Sequence, residues 1–162
     1  MRRTIVAFGQ DEAGDWVVGL SCLHRQHVRH RPPFDERAWV LDPTERDARI
    51  GSDVDCPLCD RGELPGELRL ARSAGPFDQS RMPPGLLRSH RVPAGLWGVV
   101  RIHSGRVGLC LPTGSAALSI EAGRDAALPP EVPHKLVLAG PVELSIDLLE
   151  ADPDPPPTGS FS

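Results

Sequence analysis

"LWGVVRIHSGRVGLCLPTGSAALSIEA" (residues 96–122) alternates short β-rich runs with turn formers. LWGVVRI, RVGLCL and AALSIEA are separated by HSG and PTG. The pattern continues downstream through GRD, KLVLA (135–139), GP and VELSIDLL (142–149). Short strands with frequent turns predict an all-β sandwich or small barrel. Upstream, ELPGELRLARSAGPFDQSRMPPG (63–85) reads as a linker whose end leads into this module. Downstream, the tail DPDPPPTGSFS lacks apolar periodicity and is expected to be disordered.

The first third of the chain carries a different pattern. RTIVAFG (3–9) and DWVVGLSC (15–22) are β-rich and flank QDEAG, which predicts a hairpin. RPPF (31–34) then blocks regular structure. LDPTERDARIG (41–51) predicts a short helix with Asp42 as N-cap, Pro43 at the first position and Gly51 at its end. The expected organisation is mainly β: a module over 1–62, a sandwich or barrel over 63–152, and a tail over 153–162.

Composition excludes several classes. Of 162 residues, 18 are proline and 16 glycine, which favours turns and short strands over long helices. Basic residues number 18 against 22 acidic, so no net positive field for nucleic acid exists. No apolar run approaches the ~18–20 residues that span a bilayer, so no membrane association is expected. The start, MRRTIVAFGQDEAG, lacks the apolar stretch of a secretory signal, which makes the cytoplasm the expected compartment. Cysteines stay reduced there, and a close pair reads as metal-binding or catalytic before it reads as a disulfide.

Cys56-Pro57-Leu58-Cys59, with Gly62 just beyond, is such a pair and has the form of a zinc knuckle. A tetrahedral site needs two more ligands, and SCLHRQHVRH (21–30) offers Cys22, His24, His27 and His30. Cys22 and His24 lie at i and i+2, so on an extended strand end they face one side. Cys22, His24, Cys56 and Cys59 form a closed Cys3His set, a structural zinc arrangement, although spacing alone leaves His27 or His30 able to replace His24. A module of ~60 residues buries too little surface to be comfortably stable without such a staple. A redox CxxC or unligated thiols are the competing readings, and surplus histidines beside arginines read as a solvated face or an anion-contacting patch.

This module resembles a small bacterial Cys/His domain family of uncharacterised function. The resemblance rests on IVAFGQDEAGDWVVGLSCLHRQHVRHRPP, RAWVLDPTERDARIG and CPLCD. The family typically has glycine between its Cys and His, where this chain has Leu23.

A second resemblance starts from GRDAALPPEVPH (123–134). The second cupin motif runs G-x5-P-x-G-x2-H, and Gly123, Pro129 and His134 fall on that spacing. Glu131 stands where the second glycine would be, and Leu138 where a final Asn would be. The first cupin motif, with its H-x-H pair and Glu, is not recognisable; His90 remains nearby. PPGLLRSHRVPAGLWGVVRIHSGRVGL and EAGRDAALPPEVPHKLVLAGPVELSIDLL are similar to the TehB/YeaR-like family, cupin-type domains associated with tellurite resistance and with nitrate or oxidant stress. That resemblance implies His90, His134 and Asp147 as ligands of a second divalent metal in a cupin-like pocket.

One pattern opposes Asp147. Val142, Leu144, Ile146 and Leu148 share one face of the last strand, so Asp147 lies on the other. The residues leave a metal-free cavity open as the alternative. Cys110, His103 and Trp97 read as core or solvated positions, and no catalytic residue is assigned. The expected function is metal binding in a toxic-oxyanion or oxidant response, with a small molecule or oxyanion as partner and self-association left open. The alternatives are a metal-dependent cupin enzyme acting on a small oxidised substrate, and an adaptor whose zinc module docks a protein.

Overall fold

The computed structural model describes residues 1–112 and 117–153. It is mainly β and divides into two compact units, Met1–Gly66 and a second that begins at Glu67.

In the first unit, β1 (Arg2–Gln10), β2 (Trp16–Leu20), β3 (Arg25–His27) and β4 (Asp53–Asp55) form one sheet in the order β3-β2-β1-β4. The expected hairpin is β1–β2. Its turn is closed by Asp11, whose carboxylate accepts from the amides of Ala13 and Asp15 at 3.0 and 2.9 Å. Asp42 caps α1 (Pro43–Asp47) as anticipated, accepting from Thr44 N at 2.8 Å. The helix is shorter than the sequence pattern suggested, and the chain reaches Gly51 through turns. Ile5, Val17, Val18, Leu20 and Val40 make a small aliphatic core.

The register fixes where the chain delivers its cysteines. Leu20 lies opposite Ile5 on one side of β1, and Asp55 opposite Arg2 on the other. The β2–β3 turn and the end of β4 therefore meet at the same end of the sheet. Ser21 N bonds Thr4 O at 2.8 Å, and Cys56 N bonds Met1 O at 2.8 Å.

The second unit is a five-stranded sheet of β5 (Leu68–Asp78), β6 (Leu96–Cys110), β7 (Leu118–Glu121), β8 (Asp125–Leu128) and β9 (Lys135–Ala151). Three features depart from the strand-by-strand reading. The stretch expected to be a linker contains β5, an edge strand paired to β9. Its residues are mostly exposed, so their polar composition reflects edge position and not the absence of a ladder. A further strand, β8, pairs with β6 immediately after the GRD turn.

HSG and GP, expected to be turns, lie inside the two long strands β6 and β9, which pair from Leu96–Glu150 to Cys110–Lys135. They mark bulges between Ile102 and Ser104 and between Gly105 and Val107. A bulge bends a strand and increases its twist without ending the ladder. Gly105 takes φ +75°, and a Cβ there would lie 2.1 Å from the Pro141 carbonyl oxygen, so only glycine fits. The bulges also switch which side chains face inward. Val100 and Ile102 are buried before them, Val107 and Leu109 after them. These pack with Leu128, Leu136, Val142 and Leu144 in one buried cluster. The PTG turn falls partly, and the tail expected to be disordered almost wholly, outside the described residues.

Candidate functional site

The first unit brings Cys22, His24, Cys56 and Cys59 together, all four buried, with ligand atoms within 4.8 Å of one another. The Nδ1 of His24 lies 3.4 Å from the sulfurs of Cys22 and Cys56 and 3.6 Å from that of Cys59. The sulfurs of Cys22 and Cys56 are 3.9 Å apart. A tetrahedral ion with bonds of ~2.3 Å to sulfur and ~2.0–2.1 Å to nitrogen has edges of about 3.8 Å between sulfurs and about 3.6 Å from sulfur to nitrogen. The four side chains fit a metal ion of that size.

The local backbone explains the convergence. Cys22 and His24 do not sit on an extended strand end as their spacing suggested. They occupy the β2–β3 turn, closed by Leu23 N to Leu20 O at 2.8 Å, with Leu23 at φ +70°. That left-handed conformation is one glycine adopts without strain, and it turns both donors inward. Cys56 caps α2 (Pro57–Asp60), which carries Cys59, and Gly62 leaves the helix at φ +64°.

The electrostatics of the cluster call for a cation. Cys22 is pushed below the ordinary thiol value, first because Cys59 hydrogen-bonds its sulfur; that same contact, with burial, pushes Cys59 well above it. Crowded thiols of this kind resist full ionisation unless a positive ion joins them. Burial pushes His24 down, toward the neutral imidazole that a metal requires. Three thiolates, one imidazole and a divalent ion would sum to a charge of −1. Arg3, 7% exposed on β1, lies close enough to Cys59 for its charge to pull that thiol down, and the same charge would compensate the filled site. Sequence reasoning missed Arg3; its only signal was a charge at a position whose neighbours in the strand pattern face the core.

His27 and His30 are elsewhere. His27 Nε2 pairs with Asp11 at 2.8 Å, and His30 Nδ1 accepts from Arg37 N at 3.0 Å. Among the described residues, no other group of three or more Cys, His, Asp or Glu shares the geometry of the cysteine cluster.

In the second unit, His90 and His134 come together and Asp147 does not join them. The two backbones form an isolated bridge, with N–O distances of 3.0 and 2.9 Å. Their rings meet edge to face, with centroids 4.3 Å apart. They line a cavity of about 210 Å³ walled by Val100, Leu128, Leu136, Ile146 and Leu148. Burial pushes the His134 imidazole down, against the opposing pull of the Val132 carbonyl. Glu131, where the motif has glycine, takes φ +62°, while Gly123 takes +79°.

Asp147 faces the opposite side of the sheet from Ile146 and Leu148, as strand parity requires. It is nevertheless only 9% exposed. Arg101 Nε donates to it at 2.6 Å and Ser73 Oγ at 2.7 Å. Arg101, then Ser73, hold its carboxyl below the usual carboxylate range. Asp147 is thus engaged in joining β5, β6 and β9.

Comparison with known proteins follows the same division. Residues 6–63 match the model of DUF3565, a protein family of unknown function, and residues 72–146 match the TehB-like domain. The two matches fall one on each side of the division near Gly66. No curated protein matches it. Among solved structures, it is similar to an E. coli (strain K12) protein at 22% identity and a TM-score of 0.50, covering 55% of this chain and 96% of that one. It is also similar to TehB from Haemophilus influenzae at 14% identity and a TM-score of 0.50, covering 53% of this chain. The match spans 32% of TehB, and at these identities both likenesses concern the fold. Among the described residues of this two-part chain, no helix is long and apolar enough to cross a membrane.

Proposed function

We propose that this DUF3565–TehB-like protein is a cytoplasmic metal-binding protein of a toxic-oxyanion (tellurite-like) or oxidant response. Cys22, His24, Cys56 and Cys59 hold one structural zinc, and the cupin-like cavity beside His90 and His134 receives a small molecule. The observation that carries the metal reading is the buried set of three sulfurs and one nitrogen with tetrahedral edge lengths. Sulfur-rich tetrahedral donors favour zinc. Zinc there supplies folding energy, and the first unit positions the ligands from both sides of β1. The stress-response part rests on the TehB-like match. Its test is survival on tellurite, nitrate or peroxide of cells lacking the protein, complemented with the wild-type chain or with Cys56→Ala. Equal survival of complemented and uncomplemented cells under all three challenges would remove the stress-response role.

One observation favours a second reading, in which the zinc module docks a protein partner. The first unit exposes large apolar side chains, among them Phe34 at 91% and Leu41 at 62%. Phe34→Ser would then abolish co-purification of a stoichiometric partner without altering zinc content.

A further inference from the structure

The cavity of the second unit is apolar except for its two histidines and the exposed Arg91, and both rings enter it with Nδ1 turned to a backbone carbonyl. Nδ1–H of His134 donates to Val132 O, and Nδ1–H of His90 to Arg88 O, each at 2.9 Å. In the neutral imidazole, an Nδ1–H used in this way leaves the lone pair on Nε2. Nε2 of His134 is fully buried and has no hydrogen-bond partner, in a residue 3% exposed. An unmet buried acceptor is costly, so its persistence points to a donor that arrives from outside the chain.

Three kinds of occupant can be compared. An anion would set its charge against two imidazole lone pairs and aliphatic walls, with the exposed Arg91 the one cation lining the cavity. A divalent ion would find two nitrogens, and among the described residues no third His, Cys, Asp or Glu joins them. A neutral molecule with an apolar body and one donor matches every wall. Size narrows it further: a cavity of ~150 Å³ accepts benzene, and this one is about 210 Å³.

We propose that the cavity binds a small neutral molecule of the phenol class, a ring-sized apolar body whose single O–H or N–H is donated to Nε2 of His134. Val100, Leu128, Leu136, Ile146 and Leu148 hold the body, and the His90 ring packs across its polar end. This inference rests on the small-molecule role proposed for the pocket and names the chemistry of the molecule.

The test is a titration of the zinc-loaded full-length chain, carrying ¹⁵N-histidine, with phenol and with toluene, which has similar size and no donor. Phenol should move the Nε2 resonance of His134 and bind about tenfold more tightly than toluene, the usual scale for one hydrogen bond to a buried acceptor. His134→Leu should bring the two affinities together while toluene still binds. His134→Gln, which retains an acceptor oxygen, should restore part of the preference. If His134→Leu does not fold, the wild-type affinity ratio and Nε2 shift decide the matter. Equal affinities for phenol and toluene would overturn this inference and leave the pocket as an apolar cavity. Failure of both to bind, with added Zn²⁺ shifting both Nε2 resonances instead, would overturn the small-molecule role as well.

Discussion

Replacing Cys59 with alanine removes one of the four donors from the cysteine–histidine cluster, and the first unit has little else to hold it. Its aliphatic core is Ile5, Val17, Val18, Leu20 and Val40. At about 1.5–3 kcal/mol per fully buried side chain, these contribute on the order of 10 kcal/mol. Structural zinc adds about 10–16 kcal/mol in small peptides. An even division among four ligands puts one donor at about 3 kcal/mol. Loss of that amount, together with collapse of the closed coordination shell, should release the ion and unfold the unit. The assay is zinc content by elemental analysis, combined with hydrogen exchange read segment by segment. Protection should vanish over β1, β2 and β4 and persist over β6 and β9, where a separate core lies. Wild-type zinc content with unchanged protection of β1 and β2 in Cys59→Ala would refute the staple.

Three further outcomes follow from particular contacts. His24→Ala should lose zinc like the cysteine variants, whereas His27→Ala and His30→Ala should retain it, because those rings are bonded to Asp11 and to Arg37 N; one elemental analysis of all three checks this. Asp147→Ala should leave metal content unchanged and cost ~1–3 kcal/mol in urea unfolding at pH 7, the scale for stripping partners from a buried polar group. The folded carboxyl lies below its ordinary value of 3.8, so its stabilisation is full above that value. It is lost as pH falls through the lower folded value, and the gap between variant and wild type should close in strong acid. Glu131→Gly should raise stability by up to about 1 kcal/mol in a thermal melt, since an exposed residue at φ +62° has left-handed strain to lose and no buried side chain to forfeit.

The sequence by itself determined the donor chemistry of the cysteine–histidine cluster and the β character of both parts. Cys56, Cys59 and Gly62 are local, and a knuckle is a local device: spacing, turn and donors lie within a few residues of one another. Leu23 and Glu131 were legible too, as departures from glycine in two family patterns. The backbone keeps the left-handed conformation at both positions because the turn that aims the next donor inward demands it. What Cys22 and His24 were near could be inferred only as a ligand count. The register of β1 with β2 and β4 is what brings Cys22 and Cys56, far apart in the chain, to one end of the sheet.

In the second unit the balance is reversed. HSG and GP have the composition of turns, and nothing local distinguishes a turn from a bulge. The ladder between β6 and β9 decided it, because each strand supplies the other's hydrogen bonds through the bend. The same holds for β5, whose polar residues look like a linker until β9 pairs with them. Parity placed Asp147 away from the cavity, but its burial required Arg101 and Ser73 from two other strands. His90 and His134, distant in the sequence, become a pair only through their backbone bridge. Contacts of that kind are set by the register of whole strands, and register is a property of the packed sheet.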